Sequence, residues 1–153
     1  MGMRWAMIAA ILLSASSDAV AQPPRIDPAA RAKIEEVVGA YAAAWNEPDI
    51  AARRQLLEKS WAAAGTYTDP TAHLEGREAL VQHISGFQKG LPNTRIEPTS
   101  QVDVHHNQIR FTWKITKVDG TTASEGMDFG VIDADGRIAK IVGFFGPFTP
   151  KAR

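Results

Sequence analysis

The stretch Ile109-Arg110-Phe111-Thr112-Trp113-Lys114-Ile115-Thr116 alternates apolar and polar residues without a break. Successive side chains of a strand point to opposite faces, so this period of two predicts a half-buried β-strand with Arg110, Thr112, Lys114 and Thr116 on its outer side. Val102 and Val104 carry the same texture, and strands are expected from Arg95 onward. Turn residues divide this half. Asp119-Gly120 is a strong two-residue hairpin signal, Asn107-Gln108 a weaker one, and Asp133-Ala134-Asp135-Gly136 fits a longer loop before a last strand, Arg137 to Gly146.

Upstream the period changes. Ile34, Val37, Val38, Tyr41, Ala42 and Trp45 form one continuous apolar stripe at helical spacing, with Arg31, Lys33, Glu35 and Glu36 off it. Asp27-Pro28 supplies an N-cap followed by proline in the first turn, where a missing N–H costs nothing. Asn46-Glu47-Pro48-Asp49 breaks this helix and caps a second, carrying Ile50, Leu56, Leu57 and Trp61 and ending at Gly65. A short extended piece at Thr66 to Thr68 and a turn at Asp69-Pro70 precede a third helix with Leu80, Ile84 and Phe87, which runs to about Lys89. Helices first and hairpins afterwards predict an α+β fold: three N-terminal helices packed on a strongly curved antiparallel sheet. Where curvature pulls such a sheet away from its helices, a cavity for a small apolar ligand is expected.

Residues 1–21 read as a secretory signal peptide: Arg4, an apolar run from Trp5 to Leu13, then Ala19-Val20-Ala21 with cleavage before Gln22. The run is too short to span a bilayer. The expectation is therefore a periplasmic or secreted domain of residues 22–153, with no membrane contact after cleavage. Cysteine is absent, so no disulfide scaffold or Cys-based zinc site is available. Seventeen basic and seventeen acidic side chains balance to zero net charge, without the basic excess that a phosphate backbone demands. No nucleic-acid partner is expected. His105 and His106, adjacent in an expected strand, should point to opposite faces, so no metal site is predicted. No cofactor is implied, since phosphate-binding Gly-rich loops and nucleophile motifs are missing.

Three polar residues stand where the pattern predicts burial: Tyr41 in the first stripe, Asp69 between the second and third helices, and Asp128 in the penultimate strand. Alternation sets Met127, Phe129 and Val131 on one face and Asp128 on the other, bracketed by Gly126 and Gly130. A glycine pair in a strand suggests open space beside the carboxyl, where something approaches the backbone. The alternative is an Asp128 that faces water. Tyr41 also fits a core tyrosine, and Asp69 a turn-former. Trp45, Trp61, Tyr67, Phe87, Trp113 and Phe144 are the rings expected to line a cavity, with plain core packing as the alternative for each.

Several segments resemble the ketosteroid isomerase and SnoaL-like branch of the nuclear transport factor 2 superfamily. They are Val38-Gly39-Ala40-Tyr41-Ala42-Ala43-Ala44-Trp45-Asn46, Thr66-Tyr67-Thr68-Asp69-Pro70, Gly76-Arg77-Glu78-Ala79-Leu80, Met127-Asp128-Phe129 and Gly143-Phe144-Phe145-Gly146. The resemblance spans essentially all of residues 22–153 and implies a cystatin-like cone, a curved sheet wrapped over three helices. It places Asp69 at the position of the general base, and Tyr41 and Asp128 at the two oxyanion-hole positions. The reaction implied is proton abstraction beside a carbonyl, with a neutral, protonated Asp128 sharing the enolate oxygen with Tyr41. Two other readings stand beside this isomerase: a non-catalytic module binding an apolar ligand, and a homodimer formed through the sheet face of Arg110, Thr112, Lys114 and Thr116.

Overall fold

The computed structural model describes residues 26–152, so the leader expected at residues 1–21 lies outside the described residues. Helix α1 (Pro28–Asn46) starts where Asp27 accepts the amide of Ala30 at 3.1 Å, and α2 (Ile50–Ser60) where Asp49 accepts that of Ala52 at 2.8 Å. Strand β1 (Trp61–Asp69) follows α2 directly and turns at Pro70 into β2 (Ala72–Glu75). Helix α3 (Arg77–Gly90) leads to β3 (Thr94–Pro98) and β4 (Asp103–His105). Long strands β5 (Gln108–Lys117), β6 (Thr122–Ile132) and β7 (Ile138–Phe145) close the chain as a meander.

These strands form one open sheet in the order β2-β1-β7-β6-β5-β3, with β4 sharing the outer edge of β5 beyond β3. The three helices pack on its inner face, with Leu57, Leu80, Val81 and Ile84 buried together with Ile109, Ile138 and Ile141 of the sheet. Register shifts in the pairings of β1 with β7, β5 with β6 and β6 with β7 mark irregularities of the kind that bend a sheet around its helices. Among the described residues no helix is long and apolar enough to cross a membrane.

The structure departs from the sequence expectation in four places. The sheet is mixed, because β1 pairs parallel with β7 while every other pairing is antiparallel. Strand β1 enters from α2 rather than from a hairpin, so nothing local obliges it to oppose its neighbour. Second, α2 stops at Ser60, and Trp61 to Gly65 is strand despite three alanines with high helix propensity. Packing decides this. The Trp61 indole lies over Gly65, where a Cβ would stand 2.6 Å from Nε1, and its ring stacks on Tyr41 at 5.7 Å. Third, the turn between β4 and β5 falls one residue early, on His106 (φ 46°) and Asn107 (φ 61°), both left-handed as a tight hairpin requires. His106 is thus outside the strand, alternation does not apply, and the two imidazoles lie 5.7 Å apart.

The fourth correction concerns the glycines of β6. They do not leave open space. A Cβ on Gly126 would meet the Trp113 ring at 2.6 Å, and one on Gly130 would meet Ile141 at 2.8 Å and Ile109 at 3.0 Å. Each glycine therefore seats a large side chain of the flanking strands beside Asp128.

A buried arginine ties the helices together. Arg53 gives hydrogen bonds to the carbonyls of Glu47 and Val81, to Ser85 Oγ and to Gln88 Oε1, and so fixes the α1–α2 turn to α3. Asn46 does the same for the sheet, pairing with both the amide and the carbonyl of Ile96 in β3.

Candidate active site

Between the helices and the inner face of the sheet lies a cavity of about 290 Å³. Helical spacing puts Tyr41 and Trp45 of α1 on it, strand alternation brings Tyr67 and Asp69 from β1, and α3 contributes His83 and Phe87. Trp113 of β5 and Asp128 of β6 complete the opposite wall. The three residues expected to carry chemistry, distant in sequence, thus converge on one apolar space.

Asp128 is 5 % exposed and faces the helices, so the solvated alternative is excluded. Its carboxyl oxygens have different partners. Oδ1 accepts the indole N–H of Trp113 at 2.8 Å, and Oδ2 lies 3.5 Å from the hydroxyl of Tyr41. An indole N–H can only donate, so Oδ1 is the accepting oxygen and the proton of the neutral acid belongs on Oδ2, beside Tyr41. Burial pushes the Asp128 carboxyl up to about 6; hydrogen bonds from Trp113 and Tyr41 restrain the rise, and the charge of Asp69 adds to it. Tyr41 is held well above the ordinary tyrosine range, by burial first and then by the charge of Asp128, so it remains an O–H donor.

Asp69 stands across Gly143 from Asp128. A Cβ on that glycine would lie 3.1 Å from Asp128 Oδ1 and 3.5 Å from Asp69 Cβ, so the absence of a side chain there lets the two acids share a wall. Asp69 is heavily engaged: Oδ1 accepts the amide and hydroxyl of Thr71 and the amide of Ala72, while Oδ2 accepts the hydroxyl of Tyr67 at 2.8 Å. Burial alone would raise its pKa, but these bonds more than offset it and hold the carboxyl below its usual range. Tyr67 is shifted above the ordinary tyrosine range by burial, then by the two carboxylates.

Of the six rings expected on the cavity, Trp45, Tyr67, Phe87 and Trp113 line it. Trp61 lies beneath, fully buried against Tyr41. Phe144 is 59 % exposed on the outer face of β7, and its neighbour Phe145 faces inward against Trp113, with ring centres 5.3 Å apart. Counting alternation along β7 from the buried Ile141 and Gly143 would have chosen Phe145. The sequence reading also passed over His83, which lines the cavity from α3. Its place one helical turn before Phe87 is the signal that would have found it.

A family model described as SnoaL-like domain matches residues 38–141. A solved structure from Agrobacterium tumefaciens, provisionally named an isomerase of the SnoaL-like family, is 31 % identical with a TM-score of 0.71, covering 76 % of this chain and 99 % of its own. A protein from Sinorhizobium meliloti, provisionally named a polyketide cyclase, shares the fold at 19 % identity and TM-score 0.58, over 74 % of this chain and 97 % of that one. So does a protein of cystatin-like fold from Methylobium petroleophilum, at 18 % identity and TM-score 0.63 over 80 % of each chain. No curated protein matches the chain. By the extent of the family match and the Agrobacterium relative, this chain belongs to the SnoaL-like family.

Proposed function

We propose that this protein is an exported acid–base isomerase that enolises a small, hydrophobic carbonyl compound in the cavity. The observation that carries the reading is the placing of two oxygen donors side by side at an apolar wall, Tyr41 Oη and Asp128 Oδ2, 3.5 Å apart. One ligand oxygen can accept from both, and charge developing on that oxygen is stabilised more strongly here than in water. Burial pushes the Asp128 carboxyl up to about 6, so below that pH it is protonated and offers the second donor. The Agrobacterium relative, provisionally named an isomerase, supports the same class of reaction. Asp69 and His83 line the same cavity and are the candidates to receive the α-proton. Export rests on the leader pattern of residues 4–21, and chain recovered outside the cytoplasm should begin at Gln22.

The test is a titration with equilenin, a phenolic steroid whose oxygen mimics the enolate, followed by tryptophan fluorescence. It is paired with NMR measurement of deuterium exchange at the α-carbon of β-tetralone. Tight binding lost in Asp128→Leu and Tyr41→Phe, together with accelerated exchange, is expected. A second reading, a binding module without turnover, is favoured by the engagement of both Asp69 oxygens in structural hydrogen bonds. Equilenin binding without any exchange would select it.

A further inference from the structure

We propose that His83, rather than Asp69, is the group that takes and returns the proton in this cavity. This assignment rests on the enolising reading above. Asp69 has three donors on Oδ1 and the Tyr67 hydroxyl on Oδ2, so little of its accepting capacity is left, and these bonds hold the carboxyl below its usual range and make it a weaker base. His83 has no such ties. Neither ring nitrogen has a hydrogen-bond partner among the described residues, and the imidazole is half-buried at the cavity wall. Its orientation is nevertheless fixed. The ring packs edge-on against Trp45 at 5.8 Å and tilted on Tyr67 at 5.4 Å, and Tyr67 is itself anchored by Asp69. Asp69 is thus a positioning residue that acts through Tyr67.

The titratable groups lining the space with His83 are Tyr41 from α1, Tyr67 and Asp69 from β1, and Asp128 from β6; no lysine or arginine lines it. An imidazolium formed during turnover would therefore share the cavity with the Asp69 carboxylate and with no lysine or arginine. In the step proposed, the unprotonated ring nitrogen of His83 takes the α-proton. The C–H electron pair becomes the carbon–carbon π bond, and the carbonyl π pair moves to oxygen, which the hydroxyls of Asp128 and Tyr41 hold. The imidazolium then returns a proton to carbon, so no oxidant or further reactant enters. In heavy water the imidazolium exchanges its proton before return, and deuterium appears at the α-carbon.

The experiment compares β-tetralone exchange in the wild type, His83→Gln and Asp69→Asn across pH, with equilenin affinity as the check on folding and on the oxyanion pair. His83→Gln is expected to slow exchange at least about 100-fold, in keeping with loss of a general base, and to keep equilenin affinity within about threefold. The pH–rate profile should change shape in His83→Gln. Asp69→Asn should slow exchange less than about tenfold and keep the wild-type shape. Exchange that survives in His83→Gln but vanishes in Asp69→Asn overturns the assignment while leaving the enolising reading intact. Failure of the wild type to exchange β-tetralone overturns both.

Discussion

The indole N–H of Trp113 reaches Asp128 Oδ1 at 2.8 Å and thereby decides which carboxyl oxygen carries the proton. The protonated acid offers its hydroxyl beside Tyr41; the ionised acid offers an acceptor there instead. Two ligand classes should therefore bind with opposite pH dependence. A ketone, which can only accept, needs protonated Asp128 and should bind more tightly as pH falls through about 6. A phenol brings its own proton and should bind more weakly over the same interval. Titrating β-tetralone and equilenin between pH 4.5 and 8 (about one unit or more on either side of the carboxyl) checks this, and parallel profiles would refute the oxyanion geometry.

The two acids should also leave opposite marks on stability. Asp128 binds its proton more tightly when folded, so its stabilising contribution is full below the unfolded value of 3.8 and is lost as pH rises through about 6. The displacement amounts to about 3 kcal/mol. Asp128→Asn, which keeps an acceptor for Trp113, should match the wild type near pH 4 and exceed it at pH 7.5 by up to about that amount. Asp69 is lowered in the folded state, so its contribution is present above 3.8 and lost as pH falls. Asp69→Asn should accordingly be destabilising at neutral pH and less so in acid. Urea unfolding at several pH values reads both slopes, and an unchanged slope in Asp128→Asn would contradict the burial argument.

Gly143 and Gly39 make a matched pair for testing the shared wall. A methyl group on Gly143 would lie 3.1 Å from Asp128 Oδ1, tighter than ordinary contact, whereas one on Gly39, in α1, meets nothing within 4 Å. Gly143→Ala should cost about 1–3 kcal/mol and weaken equilenin binding by displacing the carboxyl. Gly39→Ala should raise the melting temperature through helix propensity, by about 0.5–1 kcal/mol, with binding unaltered. Calorimetry with and without ligand separates the two effects.

How far the sequence carried this reading depended on where local pattern and tertiary packing agreed. The α1 stripe and the alternation of β5 each have one face toward the core, so periodicity alone placed Tyr41, Trp45 and Trp113 correctly. Asp128 could be put on a face but not on the right side of the sheet, since Gly126 and Gly130 are silent in a hydropathy pattern. Their meaning appears only when Trp113, Ile109 and Ile141 fill the space above them. Ala62 to Gly65 read as helix because β1 is decided by Trp61 packing and by pairing with β7, both remote in sequence. The engagement of Asp69 and the vacancy of His83 are likewise contact facts with no periodic signature.

Arg53 carries a last prediction, about what holds the α3 wall of the site in place. Its guanidinium is the shared donor for two main-chain carbonyls and two side chains that link the α1–α2 turn to α3, and it is buried without a carboxylate among its hydrogen-bond partners. Arg53→Ala removes these bonds together, leaving Gln88 and Ser85 as the remaining side-chain donors to the Glu47 and Val81 carbonyls and a void where the guanidinium lay, at a cost of about 2–4 kcal/mol. Thermal unfolding should shift down by roughly 10 °C. Because Gln88, which receives from Arg53 and donates to the Trp45 carbonyl, lies one residue beyond Phe87, α3 should also lose its registration against α1. The imidazole of His83 would then become mobile on the cavity wall, and its ring proton resonances should broaden while those of His105 and His106, at the exposed β4–β5 turn, stay unchanged. Sharp His83 resonances in a destabilised Arg53→Ala protein would show that the arginine supports the fold but not the site.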